Sequence, residues 1–99
     1  MAEKITSNEL RTKQNDFVII DVREQDELSD GKIQNSLHLP LGLTIRKAKK
    51  GEINDLKGKK ICTYCGTGYR GNIAADELVK AGFNAVTLDG GFQTWEQKS

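Results

Sequence analysis

Cys65 heads the run Cys65-Gly66-Thr67-Gly68-Tyr69-Arg70-Gly71, in which three glycines and an arginine follow a thiol. Glycines at 66, 68 and 71 allow a tightly curled loop whose successive backbone N–H groups turn inward, the geometry of an anion cradle. A helix that starts just after such a loop adds the positive end of its dipole. Arg70 places a permanent cation in the same loop. These features favour the thiolate, and the thiolate rather than the thiol is the competent nucleophile. The spacing therefore describes an activated sulfur, with Cys65 as the attacking group and Gly66, Thr67, Gly68, Tyr69 and Arg70 as the groups that bind what it attacks. A buried, inert cysteine beside a solvated arginine is the plainer reading, and it leaves the glycine spacing unexplained.

Other chemistry-bearing residues are fewer. Cys62-Thr63-Tyr64-Cys65 has the Cys-x-x-Cys form of thioredoxin-like redox pairs. In those pairs both cysteines sit around a helix N-terminus, whereas Cys62 falls inside an apolar run, so it is expected in the core as a small hydrophobe. The competing reading makes it a resolving thiol for Cys65. His38, the one histidine, is either a satisfied histidine at the surface or a group that reaches the site. Neither the cysteines nor His38 have the companions a zinc site needs, so no metal is expected. Between residues 32 and 60, eight basic residues (Lys32, Arg46, Lys47, Lys49, Lys50, Lys57, Lys59, Lys60) outnumber two acidic ones, Glu52 and Asp55. They form a solvated face or, if they rim the Cys65 pocket, a means of steering anions or an acidic protein.

The elements that must position the thiol alternate between strand and helix. Thr6-Ser7-Asn8-Glu9 is a capping box, opening a helix that ends near Asn15. Phe17-Val18-Ile19-Ile20 is a β-branched apolar run typical of a strand covered on both faces, with Asp21 at its C-terminal end. A brief helix over 25–29, closed by Gly31, and an extended Leu37-His38-Leu39-Pro40 follow. A basic helical turn over 44–50 comes next, then a second buried strand, Lys60-Ile61-Cys62-Thr63-Tyr64, running straight into the Cys65 loop. Asn72 opens a helix with Ala74, Leu78 and Ala81 on one stripe, ending at Gly82. Ala85-Val86-Thr87-Leu88 is a third strand, and a last short helix carries Phe92 and Trp95 as core anchors. This order predicts an α/β fold, a small open parallel sheet with helices on both faces. Ligands of such sheets collect beyond the carboxyl ends of the strands, where Cys65 lies.

The chain has 99 residues, 36% hydrophobic and 29% charged, which fits one domain over 1–99 with a radius of gyration of about 13 Å. Fifteen basic residues against fourteen acidic ones give +1, too little field to advertise nucleic acid or a membrane surface. No apolar run approaches the length of about 20 residues that spans a bilayer, and the residues after Met1 do not form a signal-peptide core, so a cytoplasmic protein is expected.

Four segments carry a family resemblance. Ile19-Ile20-Asp21-Val22-Arg23-Glu24 resembles an Asp-Val-Arg stretch, the segment from Gly31-Lys32-Ile33 to Pro40 a Gly-His-Ile-x-Gly-Ala-x-x-x-Pro motif, and Gly90-Gly91-Phe92-Gln93-Thr94-Trp95 a Gly-Gly-aromatic-x-x-Trp motif. With the Cys65 loop they make the chain similar to the single-domain rhodanese-like sulfurtransferases along nearly its whole length. Lys32 replaces the usual His, Asn35-Ser36 the usual Gly-Ala, and Gly66 and Gly71 stand where larger or hydroxylated residues are common. The six-residue loop from 65 to 70 is similar to that of the sulfurtransferases, while related phosphatases and arsenate reductases carry Cys-x5-Arg, one residue longer. The resemblance implies a sulfurtransferase that carries sulfane sulfur as a Cys65 persulfide. The implied donor is a small anion such as thiosulfate, or a persulfide. The implied acceptors are cyanide or a thiol, including a thioredoxin-like or other protein, and no cofactor is implied. The alternative is a protein-fed persulfide carrier with little thiosulfate activity. Arg70 would both orient an anionic donor and brace the loop against a carboxylate, for which Asp21 is the candidate, with Arg23 as a second supporting residue.

Overall fold

The computed structural model describes residues 2–97; Met1, Lys98 and Ser99, at the ends of the expected domain, lie outside the described residues. Five strands, β1 (Glu3–Ile5), β2 (Phe17–Asp21), β3 (Leu37–His38), β4 (Lys60–Tyr64) and β5 (Asn84–Leu88), form one sheet in the order β1-β5-β4-β2-β3. All pairings are parallel, with Ile19 opposite Cys62 and Asp21 opposite Tyr64. Helices α1 (Ser7–Thr12) and α4 (Gly91–Gln97) cover one face, while α2 (Leu41–Lys49) and α3 (Tyr69–Lys80) cover the other.

Alternation along the strands sorts the core into two layers. Ile20, Ile61 and Ala85 pack with Ala48, Ala74, Ala75 and Leu78 beneath α2 and α3. Ile19, Cys62, Tyr64 and Leu88 pack with Leu10 and Phe92 beneath α1 and α4. Strands β2 and β4 are thus covered on both faces, as their unbroken apolar runs require. Because β4 is the middle strand, the loop that follows it emerges at the centre of the sheet's carboxyl edge.

The capping box forms as expected: Glu9 N donates to Thr6 Oγ1 at 3.1 Å, and Thr6 N to Glu9 Oε1 at 3.1 Å. α3 ends in a Schellman motif, with Phe83 N donating to Leu78 O and Gly82 N to Val79 O, both near 3 Å. Several boundaries differ from expectation. β1 carried no sequence signal, because a three-residue edge strand buries only Ile5 and otherwise exposes Glu3 and Lys4. α1 stops at Thr12 and a separate 3-10 turn covers Gln14–Asp16. The 25–29 helix is a 3-10 segment, Gln25–Asp30, ended by Gly31 at φ 106°. α2 begins earlier, with Pro40 as its N-cap, and α3 begins at Tyr69 instead of Asn72. Arg70 therefore stands in the first turn of α3, beside the loop that it closes.

Candidate active site

β4 delivers Cys65 to the carboxyl edge of the sheet with 1% of its surface exposed, its side chain in the layer beneath α2 and α3. Gly68, at φ 112°, reverses the chain in a left-handed conformation that a side chain would strain, and it is the N-cap of α3. In that conformation its N–H donates to Cys65 Sγ at 3.1 Å. The loop backbone is held from below. Phe92 N donates to Cys65 O at 2.7 Å and Gln93 N to Gly66 O at 3.0 Å, so the start of α4 clamps the loop. Only glycine fits at position 91, where an ideal Cβ would lie 2.5 Å from Cys65 O. Thr63 Oγ1 donates to Gly71 O at 2.7 Å, tying the first turn of α3 to β4.

Arg70 is braced by Glu27. Its Nη1 and Nη2 donate to Glu27 Oε1 and Oε2 at 2.6 and 2.7 Å, a forked contact with both side chains about one-third exposed. The Arg70 hydrogen bonds hold the Glu27 carboxyl down at about 2, from an ordinary 4.5. Arg70 is correspondingly held more firmly protonated, first through Glu27, with Cys65 and Glu24 acting through space.

This corrects the expectation for Asp21. Asp21 is fully buried and accepts from Arg23 Nε at 3.0 Å, Arg23 Nη2 at 2.8 Å and Tyr64 Oη at 2.8 Å. Alternation explains the difference: Asp21 shares the α1/α4 face of β2 with Ile19, across from Tyr64, while Arg70 belongs to α3 on the other face. Burial pushes the Asp21 carboxyl up, but the hydrogen bonds from Arg23 and Tyr64 outweigh burial and hold it below the usual range. Arg23, 2% exposed, also donates to Gly31 O at 2.7 Å and Glu27 O at 3.3 Å. The Asp21–Arg23 pair thus fixes the segment that presents Glu27 to Arg70. Glu27 was missed from sequence; its available signal was the Glu24-x-x-Glu27 spacing, which caps the 3-10 segment.

The remaining candidates fall away from the sulfur. Cys62 is fully buried and faces the opposite layer from Cys65, and burial pushes its thiol up to about 12. Nothing in that arrangement supports a resolving role. The Nε2–H of His38 donates to Arg23 O at 2.8 Å, and the ring lines a groove with Leu37, Lys47, Ile53 and Leu56. Part of the basic run lies away from the loop: Lys59 and Lys60 are at the amino ends of the strands with Phe17 and Val18, and Lys47 pairs with Glu52. A cavity of about 360 Å³ does abut Gly66 and Thr67, bordered by Arg23, Glu27, Asp30, Phe92, Gln93 and Glu96. Tyr69 is 75% exposed on the other side of the loop. Trp95 packs under the Arg11 guanidinium, 3.9 Å from its ring centre.

A parallel α/β sheet with a cysteine loop at its central carboxyl edge, closed by an arginine in the first turn of the next helix, defines a class of domain. The chain belongs to the Rhodanese-like domain family, whose pattern it matches over residues 6–98. It is 38% identical over 85 residues to the thiosulfate sulfurtransferase GlpE of Coxiella burnetii, covering 85% of this chain and 76% of that one. A rhodanese-related protein from Thermoplasma volcanium superposes with a TM-score of 0.84 at 29% identity, covering 98% and 93% of the two chains. A Rhodopseudomonas palustris protein described as a possible tyrosine phosphatase superposes with a TM-score of 0.87 at 27% identity, covering 98% and 81%. The family match and the likeness to GlpE support sulfur transfer as the general activity. Among the described residues no helix is long and apolar enough to cross a membrane.

Proposed function

We propose that this protein, as a single domain over 1–99, transfers sulfane sulfur through a persulfide on Cys65. The observation that carries the proposal is the amide of Gly68 aimed at Cys65 Sγ at 3.1 Å, in a six-residue loop closed by the Arg70–Glu27 pair. With thiosulfate as donor, the Cys65 thiolate attacks the outer sulfur, the S–S bond breaks and sulfite leaves with the bonding pair. The terminal sulfur, now negative, lies against the N–H groups of 66–70, which act as a preorganised anion hole. Cyanide or an acceptor thiolate then attacks that sulfur and returns Cys65 as thiolate. The cycle needs neither metal nor organic cofactor. The phosphatase alternative asks for a longer ring than the six residues from 65 to 70, and for a general acid to protonate a leaving alcohol. Both cysteines are free, which suits a reducing compartment, and we place the protein in the cytoplasm.

Thiocyanate formation from thiosulfate or a small persulfide and cyanide tests the reading. Cys65→Ser is expected to abolish turnover while Cys62→Ala retains it. Turnover by Cys65→Ser would refute the assignment.

A further inference from the structure

Two arginines stand close to the Cys65 loop, and carboxylates engage both. The Nη atoms of Arg70 are taken up by Glu27, and the Nε and Nη2 of Arg23 by Asp21. The other bonds of Arg23 go to the carbonyls of Glu27 and Gly31. The end-on fork of Arg70 and the side-on fork of Arg23 are thus both taken by carboxylates.

The surroundings carry more negative charge. Glu24 acts through space on Arg70, and the cavity beside Gly66 and Thr67 is bordered by Glu27, Asp30 and Glu96. Among the described residues the one cation on that border is Arg23, already paired. No cation among the described residues lies within ion-pair distance of Asp30. Gly66 adds no charge of its own, and Glu27 Oε2 lies only 3.9 Å from where its Cβ would be. On the far side of the loop Tyr69 stands 75% exposed, an aromatic of the kind that anchors protein contacts.

We infer that the loop takes its sulfur from a persulfide set in a basic protein surface rather than from a free dianion, with Glu27 as the specificity-determining residue. This rests on the sulfurtransferase reading above. In the cavity beside Gly66 and Thr67 a dianion meets Glu27 and Asp30, with the paired Arg23 as the cation on its border, which is discrimination by repulsion. Lys4, in the cavity across the loop, stands with Asp89. Lysines or arginines around a partner's cysteine meet Glu27 and Asp30 favourably, while Tyr69 seats against the partner's apolar surface. In the transfer step the Cys65 thiolate attacks the outer sulfur of R–S–SH. The donor S–S bond breaks, R–S⁻ leaves with its electron pair, and Cys65–S–SH forms. The sulfane sulfur changes carrier with no net oxidation or reduction.

The test offers the whole protein two short peptides, each with one cysteine persulfide, flanked by lysines in one and by glutamates in the other, with thiosulfate as a third donor. Sulfur loading on Cys65 is followed by intact mass. The lysine peptide is expected to load about tenfold faster than the glutamate peptide at low salt, with the gap closing towards about 1 M salt, where the screening length falls to about 3 Å. Asp30→Asn and Glu27→Gln are expected to slow the lysine peptide and speed thiosulfate by about threefold. Changes of opposite sign cannot come from a general loss of folding. Equal loading from the two peptides, or a faster reaction of the anionic donors that salt slows, would overturn the inference while leaving Cys65 as the sulfur carrier. Absence of any adduct from all three donors would overturn the sulfurtransferase reading and the inference with it.

Discussion

At the scale of single residues, the two cysteines of one Cys-x-x-Cys run have been given different surroundings by a strand's two-residue alternation. Cys62 faces an apolar layer with its thiol pushed up to about 12, whereas Cys65 stands at the sheet edge with an amide on its sulfur. Iodoacetamide at neutral pH is therefore expected to label Cys65 in the native protein and to reach Cys62 only after denaturation, as read by peptide mapping. Labelling of both at equal rates in the native state would contradict the separation. Glu27 supplies a second residue-scale prediction. Its carboxyl is held at about 2 when folded against an ordinary 4.5, so the Arg70 pair stabilises the protein fully above about 4.5. That contribution is lost as pH falls from 4.5 through about 2. Urea midpoints measured across this window are expected to fall more steeply for the wild type than for Glu27→Gln.

At the scale of elements, three connections converge on one loop. The loop leaves β4, α4 starts against its carbonyls, and the 3-10 segment Gln25–Asp30 brings Glu27 to the arginine that closes it. Gly91 is the contact on which the clamp from α4 depends, because it has φ 65° and no room for a Cβ beside Cys65 O. Gly91→Ala is expected to destabilise the fold by about 2 kcal/mol and to lower transfer activity more than the loss of folded protein explains. Chemical denaturation read beside the specific activity of the folded fraction checks this; unchanged activity would mean that the loop does not depend on the clamp.

At the scale of the whole molecule, the radius of gyration of 12.1 Å agrees with one compact α/β layer structure of this length. The apolar runs at 17–20 and 60–64 and the glycine-rich stretch after them made the sheet class and the loop legible, because strand burial and tight turns leave marks in composition. β1 was not legible, since a three-residue edge strand with one buried side chain leaves almost no pattern. The brace on Arg70 was misassigned for a related reason. Residue type marks Asp21 and Glu27 alike as carboxylates, and only the three-dimensional course of the chain after Val22 decides which of them meets the α3 side. Motif order likewise pointed to the family but not to the charge around the loop, which depends on how distant carboxylates and arginines pair.

The central claim is that Cys65 carries sulfur covalently, and intact-mass spectrometry of the reduced protein after exposure to a sulfane donor tests it most directly. With thiosulfate or a peptide persulfide, the account predicts a gain of one sulfur atom on the wild type, none on Cys65→Ser, and loss of the added mass on cyanide treatment. An adduct that persists in Cys65→Ser, or a wild-type protein that takes up no sulfur from either donor, would contradict it.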